Sequence, residues 1–357
     1  MNFFESDTLT ALEAKEKAQW IAFAPVVFQT TRTLRDTGIL SFVESKPEGT
    51  TLEAIVEATG LPFYGVRVLL EAALGIGLLV SRNDQYFITK TAHFILHDHL
   101  TRVNLDFVQD VCYQGLFNLD ESIKNGKPEG LKTFGEWNTI YEGLSRLPEH
   151  VQKSWFAFDH YYSDVAFPEV LPIVFESHPR RLLDIGGNTG KWALQCFRYD
   201  PDVKVTIMDL PGQVGMARPR IEEAGFASRI DFHACNILDE SQPFPAGFDA
   251  IWMSQFLDCF SDDQIVMILK RCVKALNPGG KIFILEPFWD RQRFRAAAFS
   301  LQQTSLYFTA MANGNSQMYK ADTFTDLVTT AGLTVAAQHD GVGVSHTLLI
   351  CQPEKDK

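Results

Sequence analysis

Leu182-Leu183-Asp184-Ile185-Gly186-Gly187-Asn188-Thr189-Gly190 sets three glycines within five positions behind an apolar run that contains an acid. A helix-forming segment follows, Lys191-Trp192-Ala193-Leu194-Gln195-Cys196-Phe197. This order predicts a strand, a tight glycine turn and a helix N-terminus. Such a turn lets backbone N–H groups approach a ligand closely. A second strand, Val203-Lys204-Val205-Thr206-Ile207-Met208, ends at Asp209. An acid about 20 residues past the glycines can accept both hydroxyls of a ribose. Together these features predict a nucleoside-containing cofactor held across the carboxyl ends of a parallel sheet.

The alternatives are testable residue by residue. A P-loop needs Gly five positions before Gly190 and Ser or Thr after Lys191. The chain has Ile185 and Trp192 there. The dinucleotide fingerprint G-x-G-x-x-G, begun at Gly186, needs a glycine where Asn188 stands. What remains is Asp-x-Gly-x-x-x-Gly. An acid in that loop suits a cofactor with an ammonium group rather than a pyrophosphate. S-adenosylmethionine (SAM) carries both an amino acid end and a ribose.

On these residues the chain resembles the class I SAM-dependent methyltransferases. More narrowly, it is similar to the small-molecule O-methyltransferases with an N-terminal winged-helix dimerisation domain. The family's second motif matches Asp209-Leu210-Pro211, and the third Phe232-His233-Ala234-Cys235-Asn236-Ile237. Phe248-Asp249-Ala250-Ile251-Trp252-Met253 matches the next strand, and Leu276–Pro287 the fourth motif. The match runs from about residue 15 to 352, in the family's order. The resemblance implies an α/β fold: a C-terminal Rossmann-like doubly wound sheet plus an N-terminal mainly α winged-helix dimerisation domain. It also implies a homodimer that uses SAM and releases S-adenosylhomocysteine.

Composition bounds the rest. At 357 residues the chain should hold two domains. A 46% hydrophobic content with 28 Phe is ample for a core. The net charge of −12 argues against nucleic acid or an anionic membrane surface as partner. No signal peptide is visible, and no apolar run reaches about 18 residues, so no membrane span is expected. The six cysteines, at 112, 196, 235, 259, 272 and 351, contain no C-x-x-C pair. Neither a zinc ribbon nor a disulfide framework is supported, no metal is expected, and reduced thiols in a cytoplasm are.

Along the chain, residues 1–100 read as the winged-helix dimerisation domain, 101–178 as a helical connector, and 179–357 as the SAM-binding domain. Residues 11–43 read as helices, with Pro25 breaking or kinking the first. Thr50-Thr51 supplies a Thr cap to a short helix that ends at Gly60, and another spans 63–74. Leu78–Ser81 and Tyr86–Thr89 flank a hairpin turn at Arg82-Asn83-Asp84. A winged helix can bind DNA, yet residues 1–100 hold 8 Lys/Arg against 12 Asp/Glu. Only Arg67 lies on the would-be recognition helix, so an oligomerisation scaffold is expected instead. Its apolar first helices would pack on a second subunit. The last strands, near Thr334–Gln338 and His346–Cys351, should form an antiparallel hairpin.

The resemblance assigns the cofactor site to Asp184, Gly186, Gly187, Gly190, Asp209, Leu210, Asn236, Ile237, Ser254 and Tyr162. Asp184 would orient the glycine turn and meet the ammonium group. Asn188, where the family has Gly, suggests a left-handed residue that Asn tolerates. Asn236 stands where the family has Asp to receive the adenine amino group, and its carbonyl oxygen can also accept. Ile237 would pack on the adenine face.

The departure lies in Phe256-Leu257-Asp258-Cys259-Phe260-Ser261-Asp262-Asp263. The family's segment resembles Leu-His-Asp-Trp-x-Asp-Glu, whose His removes the acceptor's hydroxyl proton. Here Asp258 takes the His position and Cys259 the Asp position. Three explanations stay open. Asp258 is the base if burial raises its pKa. His160, in the connector, takes the proton instead. Or an acidic phenol or quinol needs little help, because proximity supplies much of the acceleration. Glu286 matches the family's Glu that orients the base. The aromatic residues from Phe288 to Tyr319 fall in the region that walls the acceptor pocket in the family, although the usual Glu near Met318-Tyr319 is absent. An aromatic or apolar small-molecule acceptor is therefore expected.

These residues point to SAM-dependent O-methylation of a hydroxyl on an aromatic, quinone-like or polyene-linked small molecule. The rivals are C- or N-methyl transfer or another SAM-using reaction on the same scaffold, and a SAM-binding regulatory protein without transfer.

Overall fold

In the computed structural model the first five strands from Arg181 onward pair in parallel, as their continuous apolar runs favour. The structure describes residues 3–354, apart from the side chain of Ser163. The chain divides after Val108 into two compact units. The helix His99–Phe107, which straddles the boundary expected at residue 100, lies within the N-terminal unit. The rest of the connector joins the sheet unit.

The N-terminal unit opens with one helix, Ala11–Asp36. Thr10 and Glu13 form a reciprocal cap at its start. Of the break or kink expected at Pro25, the break does not occur, since the helix runs continuously through it. Helices Ile39–Glu44, Leu52–Thr59 and Phe63–Ile76 follow. Thr51 accepts from the Ala54 N–H, and Gly60 closes that helix in a left-handed conformation, as the sequence predicts. Strands β1 (Leu79–Arg82) and β2 (Gln85–Ile88) make the hairpin, with Asn83 and Asp84 at φ 50° and 61°. Two left-handed residues are what a two-residue turn of this kind needs. The core joins Leu34, Leu40, Ile55, Val66, Leu70 and Leu79, all fully or almost fully buried. Each contributes about 1.5–3 kcal/mol of burial. Leu12, Trp20, Ile21, Phe23 and Val26 of the first helix stay exposed.

In the second unit, helical segments from residue 109 to 177 precede the sheet. Its strands are β3 (Arg181–Ile185), β4 (Lys204–Asp209), β5 (Ile230–Ala234), β6 (Phe248–Ser254), β7 (Leu276–Glu286), β8 (Leu333–Val342) and β9 (His346–Pro353). Among the described residues they lie in the order β5-β4-β3-β6-β7-β9-β8. The first five pair in parallel, and β9 pairs antiparallel with both β7 and β8. The hairpin expected at the end of the sheet is therefore present. The chain leaves β3 toward β4 and β5, then returns beside β3 as β6. That reversal is a topological switch point, where such sheets open a crevice at the strand carboxyl ends. One face packs Trp192 flat on Trp252, ring centroids 3.9 Å apart, with Phe167 edge-on. The other buries Ile265, Ile268, Leu269 and Phe324.

Candidate active site

The glycine turn leaves β3 at the switch point. Gly186 has φ 72° and its N–H donates to the Met208 carbonyl at 2.9 Å. A Cβ there would lie 2.3 Å from the Phe256 ring, and one on Gly187 2.8 Å from Asp184 Oδ2. Neither position has room for a side chain. Asn188 adopts the expected left-handed conformation, φ 47°. Its N–H donates to Asp209 Oδ2 at 2.8 Å, and the Leu210 N–H donates to Oδ1 at 2.7 Å. The acid at the end of β4 is thus tied to the loop after β3.

A cavity of about 430 Å³ opens on this turn. Of the residues assigned to the cofactor, Asp184, Gly186, Gly187, Asp209, Leu210, Asn236, Ile237 and Ser254 line it. Gly190 and Tyr162 do not. A Cβ on Gly190 would meet Ile221 at 2.8 Å, so that glycine serves the packing of the following helix. Tyr162 is buried with its ring against Phe158 and Tyr161. His160 lines the cavity, whereas Asp258 and Glu286 lie behind its wall.

Sequence reasoning missed several lining groups. Beside the expected His160, the helix Glu149–Asp164 presents Trp155, Asp159 and Asp164. Asp159 Oδ2 accepts from Asn188 Nδ2 at 3.1 Å, and Lys191 Nζ donates to Asp164. Four-residue spacings (155/159 and 160/164) are the only trace in the sequence, and they do not say which face looks inward. Gln255, at φ 45°, also lines the cavity and carried no signal.

Burial governs the electrostatics. It pushes the Asp184 carboxyl well above the usual range, with Asp209 adding to the effect. Burial raises Asp209 to about 6 against the pull of the Asn188 and Leu210 N–H groups. Burial and then Asp164 push Asp159 up to about 7, although Lys191 and Asn188 oppose this. His160 is pushed the other way, to about 4, first by burial and then by Lys191. At that value it is a poor proton acceptor at neutral pH.

The turn after β6 carries the altered segment. Glu286 Oε1, at the end of β7, accepts the N–H groups of Phe256 and Leu257 at 3.0 and 2.8 Å. This clamp sets the turn that holds Asp258 and Cys259. Cys259 lines the cavity, and its thiol donates to Asp258 Oδ1 at 3.4 Å. Burial raises Asp258 to about 7. Burial and the neighbouring Asp258 hold Glu286 well above the usual carboxyl range. Around Cys259 lie the buried Tyr141 hydroxyl, the Phe256 and Phe260 rings, and Asn313, whose Nδ2 donates to the Cys259 carbonyl at 2.6 Å. Trp155 is fixed by a 2.7 Å hydrogen bond from Nε1 to the Tyr307 hydroxyl.

The residues present fit SAM. Asp184 Oδ2, Asn188 Oδ1, Ser254 Oγ and Gln255 Oε1 are buried without a hydrogen-bond partner among the described residues. Buried polar atoms left unpaired are costly, and a ligand with ammonium and hydroxyl donors would satisfy them. Asp184 and Asp209 would hold the ammonium group and the ribose, Asn236 and Ile237 the adenine.

Comparison with known proteins agrees. A family model of the O-methyltransferase domain matches residues 100–334, and one of a Dimerisation2-like domain matches residues 15–86. The chain is 24% identical over 321 residues to an L-tyrosine C(3)-methyltransferase of Streptomyces lavendulae, covering 89% of this chain and 86% of that protein. It is 30% identical over 226 residues to a 3-hydroxy-5-methyl-1-naphthoate 3-O-methyltransferase of Streptomyces sahachiroi, covering 62% of this chain and 63% of that protein. The crystal structure of the O-methyltransferase NcsB1 from neocarzinostatin biosynthesis, with SAM and 2-hydroxy-5-methyl naphthoic acid, shares the fold. It aligns at TM-score 0.67 and 19% identity over 92% of this chain and 96% of that one. With the family model spanning most of the chain and a cavity built to hold the cofactor, the chain belongs to the O-methyltransferase family and is a SAM-dependent methyltransferase.

Proposed function

We propose that the enzyme methylates a hydroxyl on an aromatic or otherwise apolar small molecule, and that Asp258 takes the hydroxyl proton through Cys259. One observation carries the reading. A single cavity joins the glycine turn to the aromatic cluster around Cys259, and Cys259 is hydrogen-bonded to a buried carboxyl raised to about 7.

Bound SAM supplies an electrophilic sulfonium methyl. The protein's part is positioning and proton removal. Trp155, Phe256 and Phe260 offer flat apolar surface, which favours a ring-bearing acceptor. Its hydroxyl would donate to Cys259 Sγ while the thiol proton passes to Asp258 Oδ1. The thiol is regenerated and never becomes a free thiolate, since burial and Asp258 hold its pKa far above normal. Glu286 positions both residues through the 256–257 backbone. His160, at about 4, and Asp159, hydrogen-bonded to the glycine turn, serve the cofactor side.

The exposed apolar face of the first helix and the Dimerisation2-like match support a homodimer. Six cysteines without a disulfide support a cytoplasmic setting. Among the described residues no helix is long and apolar enough to cross a membrane.

Methyl-labelled SAM offered with phenols, catechols and hydroxynaphthoic acids tests the proposal. Label should enter an organic-extractable product with a new O–CH₃ signal. D258N and C259A should each lower kcat by about 10²–10⁴-fold, with C259S recovering part of the rate. Methylation at a ring carbon, or a D258N enzyme of undiminished rate, would overturn it. So would tight SAM binding with no transfer to any acceptor.

A further inference from the structure

The N-terminal unit contains a second cluster of chemically capable side chains, unconnected with methyl transfer. The helix Ile39–Glu44 ends on Glu44, and the helix Lys90–His97 carries His93 and His97. A four-residue spacing sets both imidazoles on one helix face. Their ring centroids are 4.6 Å apart. Glu44 Oε1 lies 2.7 Å from His93 Nδ1, and Oε2 lies 2.7 Å from His97 Nε2. One ligand atom from each of the three residues falls within 4.8 Å of the others.

We propose that Glu44, His93 and His97 form a binding site for a divalent transition-metal ion, with Zn²⁺ as its best-suited occupant. Two imidazole nitrogens and one carboxylate oxygen are a borderline-soft donor set, which zinc accepts and which leaves a further position for water. Magnesium and calcium prefer all-oxygen shells, so the two imidazoles select against them. Zinc bonds of about 2.0–2.2 Å bring tetrahedral ligand atoms to about 3.5 Å from one another. The three atoms lie within 4.8 Å of one another, so side-chain rotation alone brings them to that spacing. The imidazoles are 56% and 54% exposed, so they can turn without disturbing the core. Each ring nitrogen now facing Glu44 would yield its proton to the other nitrogen of the same ring. No net proton loss is required, because neutral imidazole has two tautomers. The bound ion would join two helices that are 49 residues apart in sequence at this point. It would therefore stabilise the N-terminal unit by binding its folded form alone.

The test uses the full chain, free of any affinity tag and stripped with EDTA. ZnCl₂ is titrated in by calorimetry and in competition with a chromophoric chelator, and melting is followed with and without metal. One saturable zinc per chain and a higher melting temperature are expected. The double variant H93N/H97N should melt like wild type in EDTA and lose the zinc-dependent rise. E44Q should weaken zinc binding at least about tenfold, a loss that even outer partners of metal ligands produce. The absence of a saturable site overturns the proposal. So does zinc binding that survives unchanged in the double variant, or an equal response to CaCl₂.

Discussion

Cofactor binding should depend steeply on pH below neutrality, because the cavity keeps its carboxyls protonated until a cation arrives. Asp159 and Asp209 are raised to about 7 and 6, chiefly by burial. Hydrogen bonds from the ribose hydroxyls favour ionised Asp209, and the ligand's positive charge favours ionised Asp159. Groups raised in the free protein and lowered in the complex make affinity increase with pH through their free values. Between pH 6 and 7 the ionised share of Asp159 grows from about one tenth to one half, and that of Asp209 from about one half to nine tenths. The product is about a tenfold gain in affinity, or about 1.4 kcal/mol. At pH 6.5 about one proton should leave per SAM bound. Staying below pH 7 keeps the ligand's own amino group charged, since α-amines titrate near about 7.7–8.0. Calorimetry in two buffers of different ionisation enthalpy reads both quantities. D159N should reduce the tenfold gain to about twofold, which is the share left to Asp209. A Kd constant within about twofold from pH 6 to 7 would refute the reasoning, as would a D159N protein that keeps the full dependence.

Two further outcomes follow from packing and burial. Gly186→Ala should cost about 1–2 kcal/mol for its left-handed backbone and should also displace the Phe256 ring, which stands 2.3 Å from the added Cβ. Gly225→Ala carries the same backbone cost at φ 83° with open space around it, so it should lower the melting temperature alone, while Gly186→Ala also weakens SAM binding; equal SAM affinity in the two variants would sink the steric account. His346 is fully buried with neither ring nitrogen hydrogen-bonded among the described residues, and burial lowers it to about 3. The unfolded chain therefore takes up a proton near pH 6.5 that the folded chain refuses, and stability falls as pH drops from there towards 3, by about 2 kcal/mol at pH 5. His346→Leu should shrink the loss of melting temperature between pH 7 and 5; an undiminished loss would show that His346 is not its source.

The cofactor half of the site was legible because it is local. Asp184, Gly186, Gly187 and Asp209 sit at strand ends whose apolar runs are visible in the sequence, and strand pairing alone brings them together. Asp159, Asp164 and Lys191 were not legible, because their roles depend on which face of the Glu149–Asp164 helix turns inward. Tyr162 shows the same difficulty from the other side. It shares that helix with Asp159 and packs on Phe158 instead of lining the cavity. Pro25 misled for a different reason. A proline disfavours a helix interior by a few kcal/mol, and the Ala11–Asp36 helix nonetheless continues through it. The Glu44–His93–His97 cluster escaped notice because its third member comes from a helix far back in the sequence.

Position 258 required the structure for a physical reason. By sequence, Asp258 replaces a histidine with a group whose ordinary pKa, near about 4, makes it a poor base towards a phenol. In the fold, burial and then the charge of Asp159 raise Asp258 to about 7, close to the ordinary histidine value of about 6.5. Desolvation thus confers on a carboxyl the basicity that an imidazole has by its own chemistry. The exchange changes the charge of the site. A histidine base starts neutral and becomes a cation, whereas Asp258 starts as an anion and becomes neutral. A buried neutral acid is the less costly product in an apolar surrounding, which favours proton uptake as the hydroxyl reacts. The same burial removes Asp258 from direct reach of the cavity, and Cys259, which lines the cavity and donates to Asp258, spans that gap. In the proposed mechanism the two departures from the family's pattern, Asp258 for His and Cys259 for Asp, are one change: a base moved back into the wall, with a thiol set in front of it.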